Sequence, residues 1–324
     1  MRVYHFSEKN PIPTYLMLVS DLMDTKPFQT GEWQAMDVSG SALHETHELE
    51  DVTLVWDQIP SHALDTIPGI DFNWAREHFG ERVSGQPLNP APSHLNWPYA
   101  VRGNGDHTRC PKCGAPTPNL HPAVSGGGEV TSLCSDPFHK VPGGYGQFDH
   151  TYPERFWPQH AGHDHNFTDQ DGKVHHVTNP KDLDILCGGQ SGIRFPYGDL
   201  RDVVGLLATK PLTRQAYLPV WFPEDTGATE GQRVPCTLGY HFMQRNNRLS
   251  CRYYMRSCEV YRHLSNDVFF AAALMHWICQ EVAKITNAGV TFRPGSLVMH
   301  ISSLHAFVGD KQKIRDRFKA VSEQ

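Results

Sequence analysis

Residues 267–285 read DVFFAAALMHWICQEVAKI, a run that is apolar on nearly all sides through its first three turns if wound as a helix. Such a helix has no polar face to turn to water, so it belongs at the centre of a fold and the rest of the chain must cover it. Ser265 and Asn266 are suited to cap its start. Asp267 then sits in the first turn of a buried helix, where free backbone N–H groups favour an anion. Read alone, Asp267 is a helix-start acid and needs no other role.

The covering layers are most regular around this helix. YGDLRDVVGLLATKP has helical spacing and stops at Pro211, and RQAYLPVWF, CTLGYHFMQ and RLSCRYYMRS read as three strands. Another strand follows the long helix. Residues 1–100 mix short apolar runs such as VTLVW with a helix around DFNWAREHFGERV, and end in a proline-rich stretch. Residues 101–197 are rich in Gly, His and Pro, and SGGGE and PGGYG interrupt any regular element, so loops and short strands are expected there.

At 324 residues and a formal net charge of −6, the chain can bury a sizeable core but is no general polyanion binder. An anion pocket would have to be local. No nucleic-acid or membrane partner is expected, since the N-terminus lacks an apolar signal-like core and no window was expected to approach a membrane span. A cytoplasmic location follows as an expectation. In that setting the eight cysteines point to metal binding, catalysis or burial ahead of disulfides.

Four ligand-type residues stand out in the middle of the chain. Cys110 and Cys113 form CPKC, and Cys134 and His139 follow in CSDPFHK, with His121 able to replace His139. Two close thiolates plus a distant Cys/His pair is the spacing of a tetrahedral zinc site. With every position filled by protein, a zinc there would staple a loop and hold no reactive water. The histidines of GHDH, 162–165, and HH, 175–176, read as solvated loop residues.

The arginines suggest where an anion would go. Arg214 precedes the strand AYLPVWF, and Arg256 and Ser257 close the strand that follows Cys251. Guanidinium forks and a hydroxyl at separate strand ends suit a phosphate monoester, although each arginine taken singly reads as a surface residue. Cys236 follows a proline at the start of a strand; beside Arg256 its thiolate would be stabilised and nucleophilic, and otherwise it is a core thiol.

Taken in order, TRQAYLPVW, VPCTLGYHF, LSCRYYMRS, the helix near Asp267 and PGSLVMHISSLHAF resemble the thymidylate synthase family, clearly over about residues 198–310. The resemblance implies an α+β fold: one domain over 1–324, a large twisted mixed sheet with the long buried helix, and an inserted excursion at 101–150. It further implies an obligate homodimer of sheets stacked back to back, with Arg214 reaching the partner's phosphate and the active sites shared. Cys236 falls on the nucleophile that attacks pyrimidine C6, Arg214, Arg256 and Ser257 on phosphate ligands, and His305 on a ribose ligand. Tyr152 in FDHTYPERFW matches the tyrosine near the reacting water network. NWAREHFGERVSG should hold the catalytic glutamate, with Glu77 slightly ahead of Glu81 by spacing to Gly85.

Two departures carry the specificity. Asp267 stands where uracil-specific members have asparagine. An amide can donate to uracil O4 and accept from its N3–H, whereas a carboxyl group can accept from the cytosine amino group and share a proton with N3. Protonating N3 also helps C6 accept a thiolate, so the acid would serve recognition and catalysis together. The change resembles the cytidylate hydroxymethylases, whose implied reaction adds Cys236 to C6, joins C5 to the one-carbon unit of 5,10-methylenetetrahydrofolate, removes the C5 proton and finishes with water where a thymidylate synthase uses hydride. Cys251 and Cys258 remain packing residues. Phe307 replaces a tyrosine that contacts the sugar 3′-hydroxyl, and Glu259, Arg262 and His263 also depart nearby. This combination resembles the CMP hydroxymethylases of nucleoside-antibiotic pathways, of mildiomycin or bacimethrin type, more than the short phage dCMP enzymes.

Overall fold

A computed structural model describes residues 1–30, 43–60, 69–88, 91, 93, 150–158, 198–223, 225–226 and 234–323, together with the backbone of short hairpin strands at 32–33, 36–37, 123–124, 130–131, 165–168 and 174–177. The excursion expected at 101–150 falls outside these residues apart from one such hairpin, as do Cys110, Cys113, Cys134 and His139.

The architecture is a mixed, seven-stranded sheet. In chain order its strands are β1 Arg2–Phe6, β2 Phe28–Gln29, β3 Glu45–Trp56, β4 Ala216–Pro219, β5 Thr237–Arg245, β6 Arg248–Glu259 and β7 Arg293–Phe307. Across the sheet the order is β1, β3, β7, β6, β5, β4, with β2 also paired to β3. The β1/β3 and β6/β7 pairs are parallel and the others antiparallel. The β5–β6 hairpin turns through Asn246 and Asn247, both with φ above +50°; asparagine is the non-glycine residue most at ease there.

Six helices are described: α1 Ile12–Met23, α2 Phe72–Arg82, α3 Tyr152–Phe156, α4 Leu200–Thr209, α5 Leu264–Ile285 and α6 Lys311–Ser322. Helix α5 is the apolar run anticipated from sequence, but it begins three residues before Asp267, after His263. Ser265 and Asn266 therefore lie inside the first turn, where Asn266 bonds back to the Arg262 carbonyl at 3.1 Å. By length and composition α5 could cross a membrane, contrary to the expectation from sequence, yet 61% of its apolar window is buried within the protein, as suits a core helix.

The core lies between α5 and one sheet face. Leu54 and Trp56 of β3, Tyr240 and Phe242 of β5, Tyr253 and Met255 of β6 and Leu297, Met299 and Ile301 of β7 all point into it. Period-two alternation sends Arg252, Tyr254, Val298 and His300 to the opposite face, where they remain half-exposed. A smaller aromatic cluster seats α2 on α5 through Trp74, Ala75, Phe269, Phe270 and Ala273.

Short helix α3 is fixed from both ends. Thr151 and Glu154 form a reciprocal cap, and Arg155 makes a two-pronged bond to Asp225 at 2.8 and 3.1 Å, with both side chains buried. Arg155→Met is expected to destabilise the fold by ~3–5 kcal/mol, because it leaves the Asp225 charge buried without its partner. Urea unfolding at neutral pH measures this.

Candidate active site

Cys236 ends the approach to β5 and lies half-buried beside the end of β6. The backbone joins the two strands there: Arg256 N–H donates to the Cys236 carbonyl at 2.9 Å. The Arg256 guanidinium clips the entering segment by donating to Pro235 O at 2.9 Å and Val234 O at 3.1 Å. It also places Nη2 3.8 Å from Cys236 Sγ, and Ser257 Oγ lies 3.6 Å from the same sulfur. Cys236, Arg256 and Ser257 thus meet as the sequence anticipated: a thiol with a cation and a hydroxyl donor directed at it.

A hydroxyl chain runs inward from this point. Thr237 Oγ1 lies 2.9 Å from Tyr152 OH and 2.8 Å from Tyr253 OH. Burial holds the Tyr152 phenol well above its ordinary pKa, with Asp267 and Cys236 adding to the rise, so it acts as a neutral hydroxyl.

Asp267 is 8% exposed and has Cys258 for a neighbour, whose thiol donates to Oδ2 at 3.6 Å. Cys258 is therefore more than packing. Cys251 is wholly buried in the core, as expected. Burial pushes the Asp267 carboxyl up to about 6, and the nearby Arg82 guanidinium and the Cys258 thiol hold it below what burial alone would give. A carboxyl group poised there can change protonation near neutral pH, as a proton-sharing base reader must.

Arg82 is the residue that sequence reasoning missed. It follows Glu81 on α2, is 3% exposed, and its guanidinium lies 3.9 Å from the ring centres of both Tyr152 and Phe270. Its Nε and Nη1 have no hydrogen-bond partner among the described residues. Only burial reveals it, since RVSG after a helix reads as a surface end. Arg82→Met fills the slot between the rings and removes an under-bonded buried cation, so the unfolding temperature should stay within about 3 °C, roughly 1 kcal/mol for a chain of this size. The same change should raise the pH at which Asp267 titrates, observable by carboxyl carbon NMR.

The two glutamates separate by face. Glu77 is exposed, whereas Glu81 is 9% exposed and turned inward. Burial raises the Glu81 pKa, and its bonds with Ser93 oppose the rise. Of the two, Glu81 is the one that faces the protein interior, whereas spacing had put Glu77 slightly ahead.

At the same end of β6, two residues beyond Ser257, Glu259 pairs in register with His305. The His305 Nδ1 is buried without a hydrogen-bond partner among the described residues, and burial lowers the imidazole pKa to about 4, leaving the ring neutral. Phe307, 1% exposed, meets the His305 ring edge-on. Arg262, its guanidinium 5.5 Å from the Phe307 ring centre, is held beside this point by two buried acids, Glu259 at 3.5 Å and Asp310 in direct contact. The departures at Glu259 and Arg262 are thus two halves of one ion pair. Arg214 is exposed, and its carbonyl receives the ring of His241, whose side chain belongs to the sheet face away from α5. Among the described residues no cluster of three or more His, Cys, Asp or Glu side chains is placed to hold a metal.

Residues 171–322 match the family model described as thymidylate synthase. A thymidylate synthase of Listeria monocytogenes serotype 4a (strain HCC23) is 29% identical over 83 residues, 26% of this chain and 26% of the relative. One of Mycoplasma pneumoniae (strain ATCC 29342 / M129 / Subtype 1) is 25% identical over 116 residues, 36% of this chain and 37% of the relative. The matched part thus spans about a quarter to about a third of these curated relatives. Over residues 171–322, the segment that contains Arg214, Cys236, Arg256, Ser257, Asp267 and His305, this chain is similar to the thymidylate synthase family.

Proposed function

We propose that the protein is a cytidylate 5-hydroxymethyltransferase that transfers a one-carbon unit from 5,10-methylenetetrahydrofolate, the donor used in the family, to C5 of CMP. The observation that carries the reading is the carboxylic acid at position 267, buried and poised near pH 6 beside the Cys236 cluster. A carboxyl group there pairs with a 4-amino group and shares its proton with N3, which suits cytosine.

In this reading Cys236 adds to C6 while Arg256 and Ser257, with Arg214 of a second copy, hold the phosphate. Asp267 feeds a proton to N3 as the C6–S bond forms, so the charge developing on the ring is met at the atom that carries it. Glu81, acting through water, takes the proton from C5. Arg82 and Tyr152 supply fixed polarity around that water. A ribonucleotide is favoured because Phe307 offers the sugar no hydroxyl while the unpartnered Nδ1 of His305 is free to receive one.

The half-exposed sheet face carrying Arg252, Tyr254, Val298 and His300 supports a back-to-back homodimer, which sedimentation would test. The Cys110, Cys113, Cys134 and His139 spacing supports a structural zinc, tested by metal analysis of the protein and of Cys110→Ser.

The deciding experiment is tritium release from 5-tritiated CMP, dCMP, UMP and dUMP with methylenetetrahydrofolate, the products being identified by mass. Release from CMP with a 5-hydroxymethyl product is the expected result. Release from dUMP or UMP alone, with a methyl product, would replace this reading by a thymidylate synthase-type reaction.

A further inference from the structure

Behind Glu81 lies a second, fully enclosed hydrogen-bonded cluster. Ser93 N–H donates to Glu81 Oε1 at 2.7 Å, and the Ser93 hydroxyl touches Glu81 Oε2 directly. The same hydroxyl lies 2.7 Å from His78 Nδ1, which is itself 3.4 Å from Glu81 Oε2. Ser93 is 0% exposed and His78 3%. The imidazole is stacked on Trp74 at 4.9 Å and meets Phe270 edge-on at 5.3 Å, so its ring orientation is fixed. Trp74 in turn donates to the Ser93 carbonyl at 2.8 Å, holding the serine in place. The other charged groups bearing on Glu81 are Glu77 and Arg82 of the same helix, which act in opposite directions.

The Ser93 hydroxyl has one proton and two neighbours that can each give or take one. With Glu81 ionised, Ser93 donates to the carboxylate and accepts from His78 Nδ1–H. With Glu81 protonated, the carboxyl group donates to Ser93, which donates to an unprotonated Nδ1. Serine cannot satisfy both neighbours in any other way, so the state of the acid and the state of the imidazole are tied together.

We propose that Glu81, Ser93 and His78 form a proton relay, in which Ser93 passes a proton between the Glu81 carboxyl group and Nδ1 of His78. In the forward pass the carboxyl O–H bond breaks as a new Ser93 Oγ–H bond forms, and the original Oγ–H bond breaks as Nδ1–H forms. The result is a carboxylate, a neutral serine and an imidazolium whose charge lies against the Trp74 face. Nothing is oxidised or reduced, and the reverse pass restores the start. The inference rests on the proposed reaction for its use: it returns Glu81 to the carboxylate form after it takes the C5 proton. Ser93 and His78 are positioning residues that act through Glu81.

The test uses the full chain and Ser93→Ala, Ser93→Thr and His78→Gln. Ser93→Ala should lower kcat for tritium release by about 100-fold or more, the lower end of the range for assisted proton transfer, with KM nearly unchanged. Ser93→Thr, which restores a hydroxyl, should recover to within about 3-fold of wild type. His78→Gln can still donate to Ser93 and fill the slot beside Trp74, so a purely structural histidine predicts wild-type kcat and pH profile; that result would overturn the relay. The relay predicts a loss like that of Ser93→Ala and a displaced acid limb of kcat. If UMP is turned over in place of CMP, the base reading fails while the same comparison is made with UMP. A second measurement needs no turnover: imidazole nitrogen NMR should show the His78 Nδ1 signal changing together with the Glu81 titration between about pH 4 and 9, and the change should vanish in Ser93→Ala. A single unchanging His78 state across that range in wild type would also overturn the proposal.

Discussion

Cys236→Ser is expected to lower tritium release from 5-tritiated CMP by at least about 10⁴-fold, the scale on which removal of a catalytic nucleophile is felt. Addition to C6 needs a soft, largely ionised nucleophile, and a serine hydroxyl at neutral pH is neither. The surroundings argue that the loss is chemical. The side chain is half-buried, and serine can accept from Arg256 Nη2 and Ser257 Oγ, which lie 3.8 and 3.6 Å from the sulfur. CMP affinity measured by calorimetry should therefore stay within about 3-fold, since the phosphate and base contacts are untouched. Residual turnover above about a hundredth of wild type would remove Cys236 from the nucleophile's role.

Asp267→Asn is expected to turn base preference from cytosine to uracil, changing the ratio of CMP to UMP turnover by about three orders of magnitude. Sites built to hydrogen-bond one pattern of donors and acceptors discriminate on that scale or above. The same variant has a stability signature that does not depend on turnover. Burial holds the Asp267 carboxyl up at about 6 in the fold against an ordinary value of 3.8. For an acid whose folded pKa is raised, the folded form binds the extra proton between those values, so stability is lost as pH rises from about 4 to 6. The loss is then carried at all higher pH and amounts to ~3 kcal/mol. Asparagine removes it, so the variant should gain stability over wild type at pH 7 and lose that gain near pH 4. His305 works in the opposite sense over nearly the same window: burial holds its folded value at about 4, below the ordinary 6.5, so stability rises as pH climbs between them. The two slopes largely cancel in wild type. Comparing Asp267→Asn with wild type in urea at several pH values separates them, and equal gains at pH 4 and 7 would contradict the buried, raised carboxyl.

The parts of this site that were legible in sequence are those read along one strand or helix. The apolar run of α5, the strands around Cys236 and Arg256 and the acid in the first helical turn follow from periodicity and order, which act over neighbouring residues. What escaped was lateral. Glu77 and Glu81 stand one turn apart on α2, and spacing to Gly85 cannot say which faces inward; packing of Trp74 and Ala75 against Phe269 and Phe270 decides it. Arg82 and Ser93 give no signal, because a buried arginine between two rings and a single buried serine acquire meaning only from residues they meet in space. The start of α5 was misplaced for a related reason: Ser265 and Asn266 have the chemistry of caps, but the backbone of His263 opens the helix without a side-chain cap. The contact of Arg262 with Asp310 likewise joins residues that sequence order keeps apart.

Phe270 sits three residues after Asp267 on α5, and its ring touches both the Arg82 guanidinium and the His78 imidazole. One rigid rod therefore carries the group that would meet the base and the ring that steadies the groups around Glu81. Sliding or rotating the rod would detune both at once, so a change in which base is accepted is most economically made by exchanging the side chain at position 267 while the helix stays still. Efforts to redirect this scaffold should accordingly leave the α2–α5 aromatic seam alone, because a variant repacked there would confound selectivity with proton handling.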